Sequence, residues 1–197
     1  MSLLDLLYFE DGQSQTTIAA VHRWCDAHGF KIGSEEGQKA LMVAERLARS
    51  TENSGLLRRL SLEMAASAQP CPTDQILVLE DEPFIALDME EVLNAAGLKS
   101  ETYPSCAAAL RWLTFRTPLA AILDFQLKGE LCTQVASLLL ERGVPMIFCS
   151  GADPAEIPSH LRQVPWLRKP FDDRQLTGLL TQALEVQGFG SQMEKEA

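Results

Sequence analysis

Residues 75–83 read QILVLEDEP. The short apolar run Ile76-Leu77-Val78-Leu79 suits a strand buried on both faces. It stops abruptly at three acids, Glu80, Asp81 and Glu82. Pro83 then opens a helical pattern, with Ile85, Met89, Val92, Leu93 and Ala96 on one face and Gly97 as its stop. The same cadence recurs downstream. Residues 98–103 read as a strand, and Cys106, Ala109, Leu110 and Leu113 mark a helix face. LAAILD (119–124) is a second buried run, followed by a helix carrying Leu131, Val135, Leu138 and Leu139 and ended by Gly143. PMIFCS (145–150) and QVPWLR (163–168) read as strands, and 172–186 as a last helix. Strands alternating with helices predict an α/β unit over 75–188, with a parallel sheet covered by helices on both faces.

Upstream the pattern is helical throughout. Leu3, Leu4, Leu7 and Tyr8 form one stripe; Ile18, Val21 and Cys25, with Trp24 beside them, form another, stopped by Gly29. Ala40, Leu41, Ala44, Leu47 and Ala48 follow Ser34, an expected N-cap, and Leu56, Leu57, Leu60 and Met64 follow Ser54, another. Residues 1–66 are therefore expected to be a small all-α domain and 67–74 a linker holding Pro70 and Pro72. Residues 189–197 are expected to be a frayed tail.

The chain has 197 residues and a net charge of −10. That balance argues against a broad grip on nucleic acid or anionic lipid. No apolar run approaches the roughly 18 residues of a membrane span. The N-terminus carries acids where an export signal carries basic residues. The cysteines number five, are scattered and form no CxxC pair. They are expected to be reduced thiols of a cytoplasmic protein, Cys132 and Cys149 being core residues, with no zinc site or disulfide framework.

Ligands of open parallel sheets bind at the C-terminal strand ends, where strand order reverses. Glu80 and Asp81 end the first strand there, Asp124 the third, Ser150 the fourth and Lys169-Pro170 the fifth. With strand order 2-1-3-4-5, the first, third and fourth strands are neighbours. Glu80, Asp81 and Asp124 together carry about −3, a charge that requires compensation. Oxygen-only donors favour a hard cation, Mg²⁺. Mg²⁺ and Lys169 bring about +3, which leaves room for a phosphoryl group of about −2 on Asp124. Ser150 is placed to donate to a phosphoryl oxygen. This chemistry is in-line phosphoryl transfer to a carboxylate.

ILVLEDEP (76–83), AILDFQ (121–126), IFCSGA (147–152) and LRKPFD (167–172) together resemble the receiver domain of two-component response regulators. The resemblance implies the flavodoxin-like fold of order 2-1-3-4-5. It implies Asp124 as phosphoacceptor, and as Mg²⁺ ligands Asp81, Asp124 and the Gln126 backbone carbonyl, with Glu80 bound through water. It implies Ser150 as the switch hydroxyl, Lys169 as the phosphoryl-binding ammonium and Trp166 as the aromatic switch. Asp124, Lys169 and Ser150 then carry the catalysis. The donor is a histidine kinase or a histidine phosphotransfer protein. FQLKGE (125–130) lacks the family's usual Met-Pro, so the loop shape is expected to differ. Pro154, Pro158 and Pro165 are expected to shorten the helix between 151 and 165.

Glu82 reads as a solvated first-turn acid, and His28 as a partner of its helix C-terminus. Residues 1–70 hold seven Lys/Arg against nine Asp/Glu and no basic recognition helix, so their expected role is protein binding or dimerisation rather than DNA binding. The expected output contact is this helical unit or the face around 151–187. The alternative within signalling is a phosphorelay intermediate or phosphate sink without its own output. A phosphatase or nuclease is disfavoured, because Asp124-Phe125-Gln126 lacks the second acid of a DxD motif.

Overall fold

The computed structural model describes residues 12–49, 55–151 and 157–186. The stripe at Leu3–Tyr8, the Ser54 cap, Pro154 and the tail 189–197 lie outside the described residues. The chain divides into two compact units, 1–69 and 70–197.

In the first unit the described helices are α1 (Gly12–His28), α2 (Glu35–Arg49) and α3 (Leu56–Ser67). Their apolar stripes meet in a core of Val21, Trp24, Cys25, Ala40, Ala44, Leu60 and Met64. Ser34 Oγ accepts the Gly37 N–H at 3.2 Å, as a capping residue does. Gly37 itself abuts the carbonyls of Lys31 and Ile32, where a Cβ would collide. The residue preceding α3 is Gly55, at φ 82° and without a side-chain cap. Trp24 stacks on His28 and Phe30, and the Trp24 carbonyl accepts from His28 Nδ1 at 2.7 Å in the last turn of α1.

In the second unit, β2 (Gln75–Leu79), β3 (Lys99–Tyr103), β5 (Ala120–Leu123), β8 (Met146–Ser150) and β9 (Trp166–Arg168) form one parallel sheet in the order β3-β2-β5-β8-β9. This is the expected 2-1-3-4-5 arrangement. Alternate side chains face opposite layers, as the pleat dictates. Leu77, Leu79, Ala121, Leu123 and Phe148 pack with α5 (Cys106–Leu113) and α6 (Thr133–Glu141). Ile76, Val78, Ile122, Ile147 and Cys149 pack with α4 (Pro83–Ala95) and α7 (Asp173–Val186).

The structure departs from the sequence-based expectations at three places and meets one between them. A strand lies within the stretch 67–74: β1 (Cys71–Pro72) pairs in parallel with β4 (Arg116–Thr117), because a short exposed segment gains backbone partners there. The last sheet strand starts at Trp166 rather than at 163, because Pro165 has no N–H to offer; its carbonyl accepts from Phe148 N at 2.8 Å. Among the described residues between 151 and 165, the only helical turn is the 3₁₀ segment Ser159–Leu161, in keeping with the prolines. The expectation of five reduced thiols fails: Cys106 and Cys132 form a disulfide, while Cys25, Cys71 and Cys149 are free. The two partners lie 26 residues apart, but the packing of α5 beside α6 brings their Cα atoms to 5.9 Å, within a disulfide's span. No described helix is long and apolar enough to cross a membrane.

Candidate functional site

The acidic strand ends converge because β2, β5 and β8 are successive neighbours. Asp124 follows β5, and its N–H donates to Leu79 O at 2.8 Å, which carries the pairing with β2 one residue past the strand and fixes the backbone beneath the carboxylate. It is 7% exposed. Asp124 Oδ1 accepts from Ser150 Oγ at 2.6 Å and from the Gln126 N–H at 3.0 Å. Its other oxygen, Oδ2, accepts from Lys169 Nζ at 2.6 Å.

Glu80, at 2% exposure, is buried as well. Its Oε1 accepts the Glu82 N–H at 3.1 Å, and its Oε2 pairs with Lys169. Lys169 thus bridges two carboxylates carried by different strands. Burial pulls the Lys169 pKa down, but hydrogen bonds to Asp124 and Glu80 and the charges behind them outweigh it, leaving the pKa above the ordinary 10.5. Burial pushes the neighbouring Cys149 thiol up to about 12, so it stays protonated and inert.

Asp81 is half-buried at the mouth. One oxygen each from Glu80, Asp81 and Asp124 lies within 4.8 Å of the others. An all-oxygen carboxylate set of this size fits a hard divalent cation such as Mg²⁺ and offers nothing to a soft metal. Five of the site residues expected from the sequence, Glu80, Asp81, Asp124, Ser150 and Lys169, therefore meet in one cluster. The Gln126 N–H reaches Asp124, while its side chain is exposed. Glu82 is exposed as the residue preceding α4. Trp166 lies beside the pocket on β9. Its ring packs edge-on to Phe125 at 6.1 Å and tilted against Phe148 at 5.6 Å, and its buried Nε1 has no hydrogen-bond partner.

Three features escape a reading of the sequence alone. The fully buried Phe125 links Asp124 to the aromatic cluster. Residues 126–131 form a hairpin of β6 (Gln126–Leu127) and β7 (Glu130–Leu131). Its turn, Lys128-Gly129, has φ of 47° and 84°, the left-handed pair that a two-residue hairpin requires. The signal for it was the Lys-Gly dipeptide between short alternating flanks. Finally, Arg142 Nη1 donates to Leu113 O at 2.7 Å and Arg116 O at 3.1 Å, tying the end of α6 to the end of α5; a lone arginine offers no pattern to detect.

No protein-family model and no curated protein matches the chain. Solved structures do match. SdrG from Sphingomonas melonis Fr1 is 36% identical, with TM-score 0.50, over 56% of this chain and 95% of that one. A response regulator receiver protein from Sinorhizobium medicae WSM419 is 26% identical, with TM-score 0.50, over 56% of this chain and 94% of that one. The receiver domain of the PhyR response regulator from Erythrobacter litoralis is 25% identical, with TM-score 0.50, over 58% of this chain and 92% of that one. The strand order, the acidic strand ends and these likenesses have one common account: the α/β part of the chain belongs to the response-regulator receiver family.

Proposed function

We propose that Asp124 accepts a phosphoryl group from the phosphohistidine of a histidine kinase or histidine phosphotransfer protein, and that the phosphorylated receiver switches protein–protein contacts. The observation that carries this reading is the Asp124 carboxylate, held on one oxygen by the Ser150 hydroxyl and on the other by the Lys169 ammonium, beside two further acids.

A carboxylate oxygen of Asp124 attacks phosphorus in line; the P–N bond to the donor imidazole breaks, and the imidazole leaves neutral after taking a proton. Lys169 shifts from carboxylate to phosphoryl oxygens, and Ser150 redirects its hydroxyl to another. Both are in contact with the nucleophile beforehand, so little reorganisation is needed. Asp81, Asp124 and the Gln126 carbonyl, with Glu80 beside them, would hold Mg²⁺, and the ion would supply positive charge against the phosphoryl oxygens.

The output runs through the helical unit or the face around 151–187, towards a protein partner or a second copy of the chain, in the cytoplasm of a bacterium. Intact-protein mass spectrometry after incubation with acetyl phosphate and Mg²⁺ tests the acceptor. One phosphoryl group is expected on the native chain and none on Asp124→Asn; labelling retained in the variant refutes the assignment.

A further inference from the structure

The Cys106–Cys132 disulfide lies next to the acceptor segment and outside the chemistry described above. Ser105 caps α5, its Oγ accepting the Ala108 N–H at 3.3 Å, so Cys106 is the first residue of that helix. Cys132 immediately precedes α6. The bond therefore ties together the leading ends of two helices. Their trailing ends are tied separately by Arg142, through Leu113 O and Arg116 O. Cleaving the disulfide frees only the leading ends.

Those ends adjoin the pocket. Cys132 N donates to Phe125 O at 2.9 Å, closing the segment that starts at Asp124 and carries the Gln126–Leu131 hairpin. Phe125 in turn packs against Phe148 and Trp166. The Asp124 carboxylate accepts an N–H from this same segment, at Gln126. Both cysteines are buried, Cys106 at 4% and Cys132 at 0% exposure, so reagents reach the bond only when the leading ends open, the part of the two helices that Arg142 leaves untied.

We propose that the Cys106–Cys132 bond is a reversible redox device that sets how firmly segment 125–132 is held beside Asp124, and with it the rate of phosphoryl uptake. This inference rests on the acceptor role of Asp124. Oxidation needs a hydroperoxide. One thiolate attacks the peroxide oxygen, forming a sulfenic acid and releasing the alcohol, or water from hydrogen peroxide. The second thiolate attacks that sulfur, and hydroxide leaves as water after protonation. Reduction needs a dithiol. In the opened state its thiolate attacks one sulfur, forming a mixed disulfide and expelling the other cysteine's thiolate; its second thiolate then attacks the mixed disulfide, closing the dithiol's own disulfide and expelling the remaining cysteine thiolate.

The test uses the full chain, oxidised with hydrogen peroxide or reduced with dithiothreitol. Alkylation under denaturing conditions is expected to count three thiols after oxidation and five after reduction. Hydrogen exchange across 125–132 is expected to speed up on reduction. Uptake from acetyl phosphate with Mg²⁺ is expected to fall about fivefold, the low end of coupling between linked sites. Cys106→Ser is expected to show the reduced rate under both conditions, and Cys71→Ser to respond like the native chain. Five thiols after peroxide overturn the proposal. A formed bond with equal uptake in both states also overturns it and leaves a structural staple. No uptake in either state, with exchange at 125–132 still redox-dependent, refutes the acceptor reading and the regulatory role with it, while locating the failure at Asp124 and not at the bond.

Discussion

Ser150 Oγ donates to Asp124 Oδ1 at 2.6 Å across the adjacent ends of β8 and β5, with Ser150 only 1% exposed. The hydroxyl thus already sits on the carboxylate that, on the proposed reading, becomes phosphorylated. Phosphorylation then biases an arrangement that is present beforehand.

Ser150→Ala is expected to keep the acceptor and weaken its surroundings. A hydrogen bond to a charged group contributes about 1.5–3 kcal/mol, which corresponds to roughly a tenfold or larger drop in the rate of uptake. Time-resolved intact-mass labelling measures it. An unchanged rate would show that the hydroxyl plays no part in the transfer.

Lys169 predicts an alkaline limb in stability. Its pKa is raised in the folded chain by Asp124 and Glu80, against the opposing effect of burial. The contribution is complete below the unfolded lysine value of about 10.4 and is lost as pH rises through the higher folded value. Thermal melts between neutral and strongly alkaline pH are expected to show this loss. Lys169→Met is expected to remove that limb while costing about 3–5 kcal/mol at neutral pH, because it leaves Glu80 and Asp124 buried without their cation.

Trp166 offers two contrasting substitutions. Trp166→Ala removes the ring that packs on Phe125 and Phe148, at an expected cost of about 3 kcal/mol. Trp166→Phe keeps an aromatic ring and also removes the buried, unpartnered Nε1–H, so its expected cost is below about 1 kcal/mol. Urea unfolding of both variants separates packing from polarity. Equal losses would count against this division.

The free thiols are expected to differ sharply in native reactivity. Cys71 is exposed, while Cys25 and Cys149 are buried and their thiol pKa values are pushed up by burial, Cys149 to about 12. Alkylation of the oxidised native chain at mildly alkaline pH is expected to modify Cys71 quickly and the other two only on unfolding. Fast modification of Cys149 would mean that the layer beneath Lys169 opens readily.

Arg142→Ala is expected to lose two hydrogen bonds from a charged donor to Leu113 O and Arg116 O, at a cost of about 2 kcal/mol in urea unfolding.

The α/β cadence and the acidic, hydroxyl and ammonium residues at the strand ends are legible along the chain. Parallel strands buried on both faces must be written as apolar runs such as Ile76–Leu79 and Ala120–Leu123. Their polar ends then stand out as Glu80, Asp81, Asp124, Ser150 and Lys169. Those are local signals, carried by neighbours in the chain. Whatever depends on two distant segments meeting emerges only from the folded chain. Cys106 meets Cys132 because α5 and α6 share one face of the sheet. Cys71–Pro72 becomes a strand because Arg116–Thr117 lies alongside. Phe125 becomes the hub between Asp124 and Trp166 because β9 delivers that ring next to β8. Each is a pairing set by packing geometry, and no period or motif along the chain encodes the distance between its partners.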